Sequence, residues 1–249
     1  PDMKPRAQNR PPFVEMRSPP HPCPYLPART ACLEHRIFTT LSAATFGELL
    51  KRGWRRFGNE CFRNVCQGCN ECRSIRVVLD RFKPSRSQMR TLRTNSDVSV
   101  IVQKPTVTDD HLRLYNSYHL DMQRRKKWPF RRTSEQDYHL AFLAGDCDFA
   151  REFLYFRAGR LAGVGLTDIV PGAISSIYFF HDPVWRPFGP GVFSIMQQAR
   201  YGMEHGLAHQ YLGYCVSGCP SMGYKAGYRP HEILRGRPED GKETEWLQD

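Results

Sequence analysis

The sequence predicts an α+β protein in which a small cysteine-containing module precedes a mixed-sheet domain, and three observations predict it. Alternating runs at 151–157, 161–169 and 174–180, divided by Ala158-Gly159 and Pro171-Gly172, read as three consecutive antiparallel strands. A helix-period run at 191–205, stopped by Gly206, separates them from a further aromatic-rich strand at 211–216. Ahead of these, residues 23–78 hold a run of cysteines and a helix of their own.

In chain order, residues 1–22 are rich in proline and arginine with no periodic pattern, which predicts a flexible arm whose charge is available to RNA. Residues 23–104 form the cysteine-containing module. Within it, residues 41–53 predict a helix: Ser42 caps it, Phe46, Leu49 and Leu50 share one face, and Gly53 stops it. Residues 85–94 place Arg86, Arg90 and Arg93 on one helical face, a phosphate-binding edge or else a solvated one. The second domain spans 105–249. Helical patterns at 108–122 and 133–143, the latter capped by Ser134, lead into the strands. Gly218 and Pro220 end the strand at 211–216, and 222–228 follows as a turn or short helix. Four tyrosines, two cysteines, a lysine and an arginine crowd residues 211–230, placing hydroxyls and cations at a sheet edge; a buried tyrosine cluster is the alternative.

At 249 residues, 40% apolar and 12% aromatic, the chain can bury a sizeable core, which excludes disorder. It has no run of about 18 apolar residues, and its first 22 residues carry no apolar signal core, so a cytoplasmic protein without a membrane span is expected. The excess of 36 Lys+Arg over 25 Asp+Glu, a net +11, favours an anionic partner: nucleic acid first, then an acidic peptide, then a membrane surface. Nine cysteines without a secretory signal read as thiols or metal ligands rather than disulfides.

Three motifs carry chemistry. Cys66-Gln-Gly-Cys-Asn-Glu-Cys72 sets three thiols at two-residue gaps, the spacing with which a loop wraps zinc or an iron–sulfur centre. Cys23, in a Pro-flanked turn, is the fourth ligand of choice, with Cys61, Cys32, His21 and His35 open; packing cysteines are the alternative to Cys23, Cys66, Cys69 and Cys72 as ligands. Arg186-Pro-Phe-Gly-Pro-Gly191, ahead of a helix, fits a phosphate loop, and the order strand, loop, helix, strand resembles acyl-CoA N-acetyltransferases. Residues 124–132 hold six cations, among them Arg124, Arg125, Lys126 and Lys127, and two aromatics, Trp128 and Phe130. That is the composition of a clamp whose cations meet phosphates and whose rings stack on bases.

Taken together, the chain resembles the arginyl-tRNA-protein transferase family, most closely its bacterial branch of aspartate/glutamate leucyltransferases. The resemblance rests on Cys23-Pro-Tyr-Leu-Pro-Ala-Arg-Thr30, Arg52-Gly-Trp-Arg-Arg56, the Cys66/Cys69/Cys72 loop with Arg73-Ser-Ile-Arg-Val77, and Lys83-Pro-Ser-Arg-Ser-Gln88. It continues through Tyr178-Phe-Phe-His-Asp-Pro183 and Tyr211-Leu-Gly-Tyr214 to Met222-Gly-Tyr-Lys225 and Tyr228-Arg-Pro230, in the family's order from residue 23 to about 234. Leu26 stands where eukaryotic members carry the second cysteine of a Cys-x-x-Cys pair. The resemblance implies an acetyltransferase-like second domain and transfer of leucine from leucyl-tRNA to proteins with N-terminal Asp or Glu, marking them for degradation. No cofactor is required for that reaction.

An aminoacyl ester is already activated, so the chemistry needs an oriented neutral amine and a donor to the ester oxygen. Tyr178, Tyr214 and Tyr224 are candidate donors, with the face each strand tyrosine occupies left open. Asp182 is a candidate to take the amine's proton or orient it, a turn or capping role being the alternative. An acidic acceptor residue calls for a cation, and Arg229, Lys225 and Arg76 are the candidates in that order. Arg86, Arg90, Arg93, Arg124, Arg125, Lys126, Lys127 and Arg186 are the candidates for tRNA. The competing functions are an arginyl-tRNA-protein transferase, an acyl-CoA-dependent N-acyltransferase and a non-enzymatic metal-dependent RNA-binding protein.

Overall fold

A computed structural model describes residues 13–248. Its first half contains β1 (Phe13–Arg17), β2 (His21–Pro22), β3 (Thr30–Ala31), β4 (Leu33–Phe38), α1 (Ala43–Lys51), β5 (Arg55–Phe57), β6 (Glu60–Asn64), β7 (Cys72–Val78), α2 (Arg86–Thr94) and β8 (Val98–Gln103). There follow α3 (Asp109–Lys126), α4 (Glu135–Tyr138), β9 (Ala150–Arg157), β10 (Arg160–Val170), β11 (Ala173–His181), α5 (Pro190–Glu204), β12 (His209–Val216), β13 (His231–Leu234) and β14 (Trp246–Gln248).

The local signals act where they were read. Ser42 accepts a hydrogen bond from the Thr45 N–H and starts α1, whose Phe46, Leu49 and Leu50 are buried. Ser85 and Gln88 form a reciprocal capping box at α2. The helix expected over 108–122 runs one turn further, because Arg124, Arg125 and Lys126 sit favourably at its negative C-terminal end. Ser134 caps α4, which ends at Tyr138 and continues as a π turn, His139–Leu143.

Two sheets result. A four-stranded antiparallel sheet has the order β1-β4-β6-β5, and an eight-stranded mixed sheet has the order β14-β13-β7-β12-β11-β10-β9-β8. In the large sheet β11 and β12 are parallel and every other pair is antiparallel. Helices α2 and α5 cover one face through a core including Ile75, Val77, Ile174, Phe193 and Met196. On the other face lie α3, over Leu154, Val164, Leu166 and Phe180, and α1 with the small sheet, over Val170, Ala173 and Tyr211. Each such side chain, fully buried, contributes roughly 1.5–3 kcal/mol. Strand β10 shows the alternation that separates these cores: Val164 faces α3, whereas Gly163 faces Trp185, whose Cζ3 would lie 2.7 Å from a Cβ at that position.

Three expectations need correction. Residues 13–22, expected within a flexible arm, contain β1, paired with β4, and β2, paired with β3; residues 1–12 lie outside the described residues. Strand β12 is not at a sheet edge but interior, between β7 and β11. Both β7 and β8, assigned by sequence to the cysteine-containing module, belong to the large sheet. Sequence periodicity carries no record of such long-range pairings.

Candidate active site

Strands β11 and β12 are linked through the 3-10 turn Pro183–Phe188 and α5, so they run parallel. They pair from Ala173↔His209 to Ser175↔Tyr211 and then part, leaving a wedge between Ser176–His181 and Leu212–Val216 whose backbone groups must bond elsewhere. Two cations enter it. The Arg55 guanidinium, from β5, donates through Nη2 to the Ser176 carbonyl, and Lys225 Nζ donates to the Tyr214 carbonyl at 2.6 Å. Both side chains are buried, with 7% exposure each. Burial depresses the pKa of both, and for Lys225, brought down to about 8, the Arg55 charge adds to it. Gly213 beside them takes a left-handed φ of +85°, which glycine adopts freely; Lys225 Nζ and Arg55 Nη2 both lie within 3.7 Å of where a Cβ would stand.

A bulge at Ile177 divides the two walls of β11. The register passes from Leu166↔Tyr178 to Thr167↔Ser176, so Ser176 turns to Gln198 of α5 while Tyr178 turns to α3. There the Tyr178 hydroxyl lies 3.0 Å from His119 Nε2, amid the rings of Phe57, Tyr115, Phe142 and Phe180. Burial raises the Tyr178 pKa and lowers that of His119, so at neutral pH the pair holds a protonated phenol against a neutral imidazole.

The other expected residues are placed differently. Tyr214 is buried with its hydroxyl donated to the Gly53 carbonyl at 2.9 Å, which leaves no free proton for an ester oxygen. Asp182 caps the 3-10 turn, Oδ1 accepting from the Val184 N–H at 2.9 Å. Arg76 is engaged: its guanidinium pairs with Glu232 at 2.7 Å, donates to the Tyr211 hydroxyl at 3.0 Å and stacks on Trp246. Arg229 is exposed, its Nε donating to the Ala226 carbonyl, and Tyr224 is exposed as well. Of the three expected acceptor cations, the structure brings Lys225 into the wedge. Sequence reading missed Arg55 and His119; Arg55 lies in the Arg52-Gly-Trp-Arg-Arg56 motif, the one signal that pointed toward it.

On the outer surface Arg86, Arg90 and Arg93 are exposed along α2, and no ion pair involves them among the described residues. Arg124, Lys126 and Lys127 are likewise exposed; Arg125 is exposed but pairs with Asp121 at 3.3 Å. Arg186 pairs with the same aspartate at 3.2 Å, and Pro190 at the start of α5 lacks an N–H that a phosphate loop would use. Two of the four expected sulfurs accept hydrogen bonds from backbone. Cys66 Sγ accepts from the Cys32 N–H, and Cys23 Sγ from the Leu26 N–H. Burial first, then the neighbouring Cys66, Cys23 and Cys69, push the free Cys72 thiol up to about 12. Among the described residues no three His, Cys, Asp or Glu side chains are grouped to hold an ion.

Comparison with known proteins places the chain in a family. The family model described as arginine-tRNA-protein transferase, C terminus, matches residues 110–235, and the one described as its N terminus matches residues 21–90. A protein of Helicobacter hepaticus named aspartate/glutamate leucyltransferase is 36% identical over 91% of this chain and 94% of its own. One of the same name from Pseudomonas fluorescens is 35% identical over 86% of this chain and 91% of its own. Among solved structures, the crystal structure of FemX aligns with a TM-score of 0.47 and 9% identity, over 93% of this chain and 82% of its own. With both family models matched in order and relatives aligned along nearly their whole length, the chain belongs to the arginine-tRNA-protein transferase family.

Proposed function

We propose that this enzyme moves leucine from leucyl-tRNA to the N-terminal amine of proteins that begin with Asp or Glu, marking them for degradation. The observation that carries the reading is a wedge with buried cations beside a protonated tyrosine, in a chain whose relatives are named for leucyl transfer and for acidic acceptors. Lys225 supplies positive charge for the acceptor's side chain. The acceptor's α-amine, with an ordinary pKa of about 7.7–8.0, is substantially neutral near pH 8 and attacks the ester carbonyl. Tyr178, protonated and accepting from the Nε2–H tautomer of the neutral His119, keeps its own proton to donate to the oxygen that gains charge as the tetrahedral intermediate forms. The C–N bond forms in that attack; collapse breaks the ester C–O bond, and the proton lost by the amine nitrogen ends on the departing oxygen, releasing the tRNA with its terminal hydroxyl restored. The exposed arginines of α2 and the basic end of α3 face solvent and suit the phosphates of the tRNA body. Among the described residues no helix is long and apolar enough to cross a membrane, and a tRNA substrate supports a cytoplasmic reaction.

The test supplies purified protein with leucyl-tRNA, arginyl-tRNA or acetyl-CoA, and with peptides beginning in Asp, Glu, Asn or Ala. Leucine should appear readily on the Asp and Glu peptides and poorly on the Asn and Ala peptides. Arginyl transfer at equal rate, or acetylation, would refute the reading.

A further inference from the structure

Strand β5 carries two consecutive arginines whose side chains leave on opposite faces, and the contrast between them is informative. Arg56 is neutralised: Nε donates to Asp168 Oδ2 at 3.0 Å, Nη2 to Oδ1, and Nη1 to the Gly58 carbonyl. Arg55 meets no carboxylate. Its Nη2 is satisfied by the Ser176 carbonyl, while Nη1 is buried with no hydrogen-bond partner. Lys225 is in the same condition, its ammonium shared between the Tyr214 carbonyl and Met222 Sδ at 3.3 Å.

Two buried cations so close, with only neutral oxygens and sulfur around them, are costly unless an anion joins them. The titratable groups facing them are the phenols of Tyr214, Tyr211 and Tyr25 and the thiols of Cys215 and Cys219. The nearest carboxylate, Asp168, is held by Arg56. The missing anion therefore arrives with a ligand.

We propose that Arg55, through its unpartnered Nη1, forms with Lys225 the subsite that takes the side-chain carboxylate of the acceptor's first residue. The assignment rests on the leucyl-transfer reading. A carboxylate fits better than a phosphodiester, because it ends a thin tether of one or two methylenes and the site is almost closed to solvent. A planar guanidinium with one edge already fixed by Ser176 presents the other in a set direction, which makes Arg55 the orienting cation and Lys225 the added point charge.

The test uses Arg55→Gln and Arg55→Lys, each first shown to be folded by its melting curve, with steady-state leucyl transfer to peptides beginning in Asp, Glu or Asn. Arg55→Gln should lower kcat/KM for the Asp and Glu peptides about 30-fold or more, well beyond any fall with the Asn peptide, so that the preference for Asp over Asn collapses. Arg55→Lys should fall between. A folded variant that keeps the wild-type preference for Asp over Asn would overturn the proposal. Should neither variant fold, the wild-type protein without tRNA decides: the Asp peptide should raise its melting temperature more than the Asn peptide, and equal shifts would overturn it. Wild-type protein that shows this preference in binding but transfers no leucine would refute the transferase reading while upholding the carboxylate site.

Discussion

Removing Arg56 should be among the most damaging single changes in the molecule. Its guanidinium links β5 of the small sheet to Asp168 on β10 of the large one, and both side chains are buried, Asp168 completely. Arg56→Met keeps the apolar stem over Phe149 but leaves the Asp168 carboxylate without its partner. Stranding a buried charge in this way costs about 3–5 kcal/mol, a large fraction of the roughly 5–15 kcal/mol that stabilises a typical protein. For a chain of this size that corresponds to a fall in Tm on the order of 10 °C. The double variant Arg56→Met/Asp168→Leu removes the stranded charge as well and should recover most of the loss. Urea unfolding followed by tryptophan fluorescence is the assay, Trp54 lying in the adjoining core. A single variant within about 1 kcal/mol of wild type, or a double variant as unstable as the single, would refute this account of how the two sheets are joined.

Three further outcomes are expected. Replacing Arg86, Arg90 and Arg93 with alanine should flatten the salt dependence of tRNA binding, measured by filter binding, with peptide KM unmoved; each phosphate that is no longer neutralised should reduce the slope by up to about 0.9 log unit per log unit of salt. Lys225 has a folded pKa near 8, below the ordinary 10.5, so its charge is lost as pH rises through about 8. The KM for Asp peptides should accordingly climb above that pH in wild type and stay flatter in Lys225→Arg. By the same linkage, Lys225 makes the fold gain stability between about pH 8 and 10.5, where the unfolded chain binds the extra proton. Tyr178→Phe should cut kcat at least about tenfold with little change in peptide KM or Tm, whereas unchanged kcat would remove the phenol from the reaction.

What the sequence showed depended on the range of the interaction. Helix α1 was legible because Ser42, its apolar face and Gly53 act within one segment, and the β9-β10-β11 meander because its turns are local. Strand β12 was misplaced at an edge because its neighbour β7 lies more than 130 residues earlier in the chain. Arg76 looked available because Glu232, 156 residues away, is invisible to spacing arguments. Burial is equally non-local. Nothing in the letters distinguishes Arg55 from Arg56, yet one is neutralised and the other is not. The cysteine spacing was legible as a pattern, but the backbone N–H groups that reach the Cys23 and Cys66 sulfurs, from Leu26 and Cys32, are set by how the chain folds around them.

The insertion of β7 between β12 and β13 has a consequence for how the protein is made. Once synthesised, this strand must wait, unpaired on both edges, until residues 209–234 have followed it from the ribosome. Its apolar Ile75, Val77 and Val78 are the kind of segment that chaperones hold and that aggregates in their absence. Closing so long a loop makes folding slow, and it makes the sheet all-or-none. A nascent fragment ending before residue 209 lacks both neighbours of β7, so truncated chains should be cleared rather than accumulate as a partly active enzyme.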